Sequence, residues 1–128
     1  MVKHFIHAAV LLLTCASAAA QNDASAARGA ALVANRTVSL CVLCHAVPGV
    51  PVTQSGTIGP NLAGAGVRWS AEQLREHLVA PERFNPYTVM PSVSRSDGFV
   101  RLAPARRGQA VLSDVQINDV VAYLVTLK

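Results

Sequence analysis

The pentapeptide Cys41-Val42-Leu43-Cys44-His45 constrains this chain more than any other feature. On a helical turn, positions i, i+3 and i+4 share one face. Two thiols and one imidazole therefore converge on the same side of the chain. Both thiols can reach the vinyl groups of a single porphyrin, and the imidazole of His45 then lies beneath the iron as proximal ligand. Cys-x-x-Cys-His is the attachment signature of c-type haem. Two other readings compete with it. A zinc half-site needs a second pair of Cys or His ligands. A redox dithiol wants a βαβ setting, and no such pattern is visible.

The amino terminus supports export. Lys3 opens it, a short run rich in Leu and Ala follows from Ala8 to Ala16, and Ala18-Ala19-Ala20 precedes Gln21. Residues 1–20 read as a cleaved secretory signal peptide, because the apolar run is too short for a membrane span. Cleavage is expected after Ala20, with Ala18 as a close alternative. Cys15 hints at a lipoprotein signal, but Thr14 is a poor residue to precede a lipidated cysteine. Elsewhere no stretch approaches the ~20 apolar residues a spanning helix needs. The expected mature protein, residues 21–128, is soluble and periplasmic.

Removing twenty residues from 128 leaves 108, which suits one domain with a limited core. Cys15 leaves with the signal, so only Cys41 and Cys44 remain. If both become thioethers, no thiol is left for catalysis or for a disulfide. Net charge falls from +4 to +3, since Lys3 is lost and every acid stays. There is no basic run beyond Arg106-Arg107 and there are no stacking aromatics nearby, which excludes nucleic-acid binding.

Helical signals frame the motif. Ala26, Gly29, Leu32 and Val33 recur at helical spacing within residues 25–39, with Gly29 either a tolerated defect or a point of close helix crossing. Residues 48–66 are dense in Gly and Pro and read as a long loop, which in a compact domain should have a job. Wrapping a porphyrin edge is one. Ser70 with Gln73 predicts a capped helix start, Leu74 and Leu78 its apolar pair, and Pro81 its end. Residues 84–91 are irregular, and residues 92–112 read as loop with a short turn. Ser113 with Gln116 opens a last helix running to Lys128. Its apolar stripe is Ile117, Val120, Val121 and Leu124, and Asn118 and Asp119 fall off it.

Electron carriers usually give haem iron a second axial ligand, Met or His. The mature chain holds one methionine, Met90, and one histidine besides His45, namely His77. Met90 lies in a loop stiffened by Pro91. His77 lies mid-helix and is expected to point partly to solvent. Met90 is the preferred ligand. His77 and an open iron remain alternatives, and a core gap-filler is the plain reading of Met90. A bound imidazole also needs an acceptor for its other N–H. The carbonyl of Pro60, in Gly59-Pro60-Asn61-Leu62, is the candidate; an ordinary turn is the plain reading there.

Together these residues resemble the class I c-type cytochromes. The matching features are Gly29, Cys41 to His45, Gly59 to Leu62, Met90-Pro91 and a last helix bearing Tyr123 and Leu124. The resemblance implies an all-α fold of several helices packed around one covalently bound haem c with long loops. It also implies iron ligation by His45 and Met90 and an imidazole N–H held by Pro60.

A narrower resemblance is to the SoxX family of sulfur-oxidation cytochromes. It rests on Gly56 to Gly64, on Trp69 to Leu74, on Asn85-Pro86-Tyr87-Thr88-Val89-Met90-Pro91, and on Leu112 to Leu124. Trp69 stands where a tyrosine is expected, which leaves the ligands untouched. This resemblance implies pairing with a SoxA-like c-type cytochrome that carries the thiol chemistry. The pair would couple thiosulfate oxidatively to a cysteine of the SoxYZ carrier, an L-cysteine S-thiosulfotransferase reaction. The present chain would be its non-catalytic, electron-accepting subunit, passing electrons to a downstream acceptor. Two other readings stay open: a free-standing electron shuttle, and a haem enzyme or ligand sensor with an open iron.

Overall fold

The computed structural model describes residues 20–128; the expected signal peptide lies outside them except for Ala20. All regular structure among the described residues is helical, as expected. Helix α1 covers residues 20–34, α2 Ala65–Arg68, α3 Ala71–Val79 and α4 Asp114–Leu124. Single 3-10 turns occur at Cys41–Leu43, Val52–Gln54, Pro81–Arg83 and Pro104–Arg106. No helix among the described residues is long and apolar enough to cross a membrane.

Helices α1 and α4 cross in backbone contact at Gly29. A Cβ there would stand 1.9 Å from the carbonyl oxygen of Asp119 and 2.9 Å from Cβ of Tyr123. This is the close crossing that Gly29 suggested. Asp119, which lies off the apolar stripe of α4, is nevertheless buried at this crossing. Arg28 Nε and Nη2 donate to its two carboxylate oxygens at 2.8 Å each. A glycine that brings α1 this close covers the flank of α4, and a planar guanidinium fork satisfies the carboxylate caught there.

Both predicted capping boxes form. The Ser70 and Ser113 hydroxyls accept from the backbone N–H of Gln73 and Gln116, and each glutamine side chain returns the bond. Leu74 and Leu78 of α3 join Ile117, Val120 and Leu124 of α4, with Val33 and Leu112, in one buried core. Arg75 on α3 reaches Asn118 and Asp114 on α4 at 2.7 and 2.8 Å.

Three helix ends differ from expectation: α1 already includes residue 20, ahead of the expected start at about 25, and α1 and α4 both stop early. Helix α1 stops at residue 34 because Asn35 Oδ1 accepts from the N–H of Thr37 and of Val38, at 2.9 and 3.0 Å. That side-chain turn competes with the helix ladder. Helix α4 stops at Leu124, and the last residues fold over α2. Gly66 N–H donates to Leu127 O at 2.9 Å, and Lys128 Nζ to Gly66 O at 3.1 Å. Residues 92–112 are loop as expected. Val93 N–H bonded to Leu78 O and Leu112 N–H bonded to Val93 O, both at 2.9 Å, pin this loop to the core.

Candidate haem-attachment site

The chain enters the site through Leu40, whose φ of 65° is left-handed, rare for a branched residue. The kink starts the turn at Cys41–Leu43, and buried Val42 anchors that turn in the core. His45 N–H donates to Cys41 O at 2.9 Å, so one helical turn spans the motif. Cys41 and Cys44 are half-buried free thiols. Burial pushes the Cys41 thiol up. That is the opposite of what a reactive dithiol requires, because the thiolate is the nucleophile.

The glycine-rich loop after the motif is zipped onto it. Gly56 N–H donates to Val42 O at 2.8 Å, Gly59 N–H to Cys44 O at 2.8 Å, and Leu62 N–H to Ala46 O at 2.9 Å. These bonds hold the long loop against the motif. The loop brings Pro60 O to 2.7 Å from His45 Nδ1. A carbonyl can only accept, so Nδ1 carries the proton and Nε2 is left as the basic nitrogen. Glycine at position 59 lets the loop pass this close, since a Cβ there would stand 2.3 Å from His45 Cε1 and would force the ring or the loop to shift.

Met90 is half-buried and packs against the core, its N–H held by Thr88 Oγ1 at 3.1 Å. His77 is partly exposed, as expected, but it also has aromatic neighbours that were not foreseen. Its ring stacks on Phe84, with centroids 3.6 Å apart, and meets Trp69 edge-on at 4.7 Å. Its Nε2 is buried without a partner, and burial lowers the pKa of the ring. Periodicity along one helix could not reveal this cluster, because Trp69 and Phe84 lie outside α3.

The residues fit a covalently held haem. Two thiols free of any disulfide flank an imidazole whose Nδ1 is tied to a carbonyl and whose Nε2 is basic. The zinc reading loses its support, because no group of three or more His, Cys, Asp or Glu among the described residues is placed to hold a metal ion. A further residue escaped the sequence reading: Arg68 donates from Nη1 to Ala63 O at 2.7 Å and from Nη2 to Asn61 O at 3.1 Å.

Comparisons with known proteins agree with this geometry. The cytochrome c family model matches residues 26–128. No curated protein matches the chain. The crystal structure of SoxXA from P. pantotrophus is similar at 38% identity and a TM-score of 0.68, covering 79% of this chain and 80% of that one. The chain therefore belongs to the cytochrome c family, whose cofactor is covalently bound haem c.

Proposed function

We propose that the chain is the electron-accepting haem subunit of a two-cytochrome complex of the SoxXA kind. The observation that carries this reading is the 38% identity to a SoxXA structure over 79% of the chain. In this reading Cys41 and Cys44 form the two thioethers and His45 Nε2 is the proximal ligand. Pro60 O holds the imidazole in one tautomer, and Met90 supplies the distal sulfur. Bound haem c supplies a one-electron couple at its iron, and a neutral thioether ligand raises the potential of that couple.

The partner is a SoxA-like c-type cytochrome, and the setting is the periplasm. Joining thiosulfate to a thiol of the SoxYZ carrier forms one sulfur–sulfur bond and releases two electrons and one proton. With Cys41 and Cys44 committed to thioethers, the mature chain has no thiol for that chemistry. The thiol work therefore belongs to the partner, and the two electrons would leave through this chain's haem one at a time, each passed on to a downstream one-electron acceptor before the next arrives.

Association tests the reading. The haem-loaded chain mixed with a SoxA-like cytochrome at micromolar concentration should sediment as a heterodimer in the ultracentrifuge. Two independently sedimenting species would defeat the heterodimer and favour a free-standing shuttle.

A further inference from the structure

Arg68 is the last residue of α2, yet its guanidinium does not cap that helix. A basic side chain near a helix C-terminus can bond the last carbonyls of its own helix. Arg68 turns back instead to the carbonyls of Ala63 and Asn61, at 2.7 and 3.1 Å. Both lie in the loop that carries Pro60 O, which is 2.7 Å from His45 Nδ1. The side chain passes against Gly64, whose φ of 71° turns the loop, so that a Cβ there would stand 3.1 Å from Arg68 Nη1. The platform beneath Arg68 is itself fixed. Gly66 lies flush against Val125, where a Cβ would stand 2.3 Å from the carbonyl oxygen, and is bonded to Leu127 and Lys128. A continuous mechanical path therefore runs from the chain end through α2 and Arg68 to the peptide next to Pro60.

We infer that Arg68 is a positioning residue for His45, acting through the Pro60 carbonyl. Holding Asn61 O and Ala63 O in one planar fork fixes the orientation of adjacent peptides, and with them the direction of Pro60 O. A well-aimed carbonyl strengthens the Nδ1–H bond and makes the imidazole a more basic iron ligand. A more basic ligand favours the ferric state and lowers the reduction potential. Lysine cannot reproduce this, because an ammonium is a point charge without the two-carbonyl fork. Arg68→Lys therefore separates positioning from charge. The inference rests on His45 as the proximal ligand, part of the function proposed above.

The test uses the haem-loaded protein in its reduced form, with Arg68→Lys and Arg68→Met beside the parent. Exchange of the His45 Nδ1 proton is followed by nuclear magnetic resonance, and the midpoint potential by redox titration. In both variants the Nδ1 proton should exchange about tenfold faster, as loss of a charge-assisted anchor allows. The potential of Arg68→Lys should rise. In Arg68→Met the lost positive charge pulls the potential the other way, so proton exchange decides for that variant. Unchanged exchange in both variants, with an unchanged potential in Arg68→Lys, would overturn the inference, even if both melt at lower temperature as a mere structural brace would require. The parent spectrum tests the underlying ligand assignment separately. Without haem-shifted His45 ring protons in the parent, the ligand assignment fails, and the role of Arg68 toward Pro60 is judged on proton exchange alone.

Discussion

A Cβ atom on Gly29 would stand 1.9 Å from the carbonyl oxygen of Asp119, so α1 and α4 touch through their backbones. In an ordinary helix interior Gly→Ala is favourable by about 1 kcal/mol. Here the neighbour is main chain and cannot rotate away, so the sign reverses. Gly29→Ala should destabilise the protein by about 2 kcal/mol, as overpacking does. The melting temperature of the haem-loaded protein should fall by about 10 °C. An unchanged melting temperature would mean that the crossing is looser than this contact implies.

The Arg28–Asp119 pair beside that crossing has a pH signature. The hydrogen bond from Arg28 holds the Asp119 carboxyl below its ordinary 3.8, against an opposing effect of burial. A carboxylate with a depressed folded pKa contributes stability above its unfolded value and loses it as the pH falls through the folded one. Asp119→Asn should therefore be less stable than the parent near neutrality. Its deficit should shrink as the pH drops below 3.8. Melting curves of both proteins from pH 7 to pH 2 measure this, and a deficit constant over the range would contradict it.

Local signals were legible in the sequence, and relationships across the fold were not. Ser70 with Gln73 and Ser113 with Gln116 are complete within four residues, so both helix starts could be read directly. The Cys41 to His45 motif was legible for a similar reason, because its spacing and residue chemistry are local; for the Pro60 carbonyl the residues alone left an ordinary turn open, and only the family resemblance favoured it. Asp119 was not, since its burial depends on Arg28 and Gly29 in another helix. The partners that enclose His77, Trp69 and Phe84, flank its helix on either side. The end of α1 was misplaced because the Asn35 side chain captures two backbone N–H groups that periodicity cannot register. Arg68 escaped notice because its acceptors are main-chain carbonyls, which every loop possesses.

Gly59 gives a direct handle on the imidazole. A Cβ at this position would stand 2.3 Å from His45 Cε1 and 2.6 Å from Nδ1. Gly59→Ala must displace either the ring or the loop that carries Pro60. The variant should attach less haem during expression, and its attached fraction should show an altered midpoint potential. Parent-like haem content and potential would show that the ring has room to spare.

Met90 is tested by its removal. If its sulfur is the distal ligand, Met90→Ala opens that side of the iron and lowers the potential, because a neutral thioether favours the ferrous state. The variant should bind carbon monoxide readily, and the parent should not. A six-coordinate spectrum retained in the variant would redirect attention to His77, and the double variant with His77→Ala would then identify the ligand.

If the chain is the electron-accepting subunit, its haem receives the electrons of a reaction performed on the partner. Reconstitution measures this most directly. The haem-loaded chain is combined with a SoxA-like cytochrome and the SoxYZ carrier, thiosulfate is added, and the visible spectrum of this haem is followed. This haem should be reduced, and thiosulfate transferred to the carrier, only when the partner is present, and the chain alone should be inactive. Thiosulfate transfer by this chain alone, or turnover of the complete mixture with this haem remaining oxidised, would contradict that role.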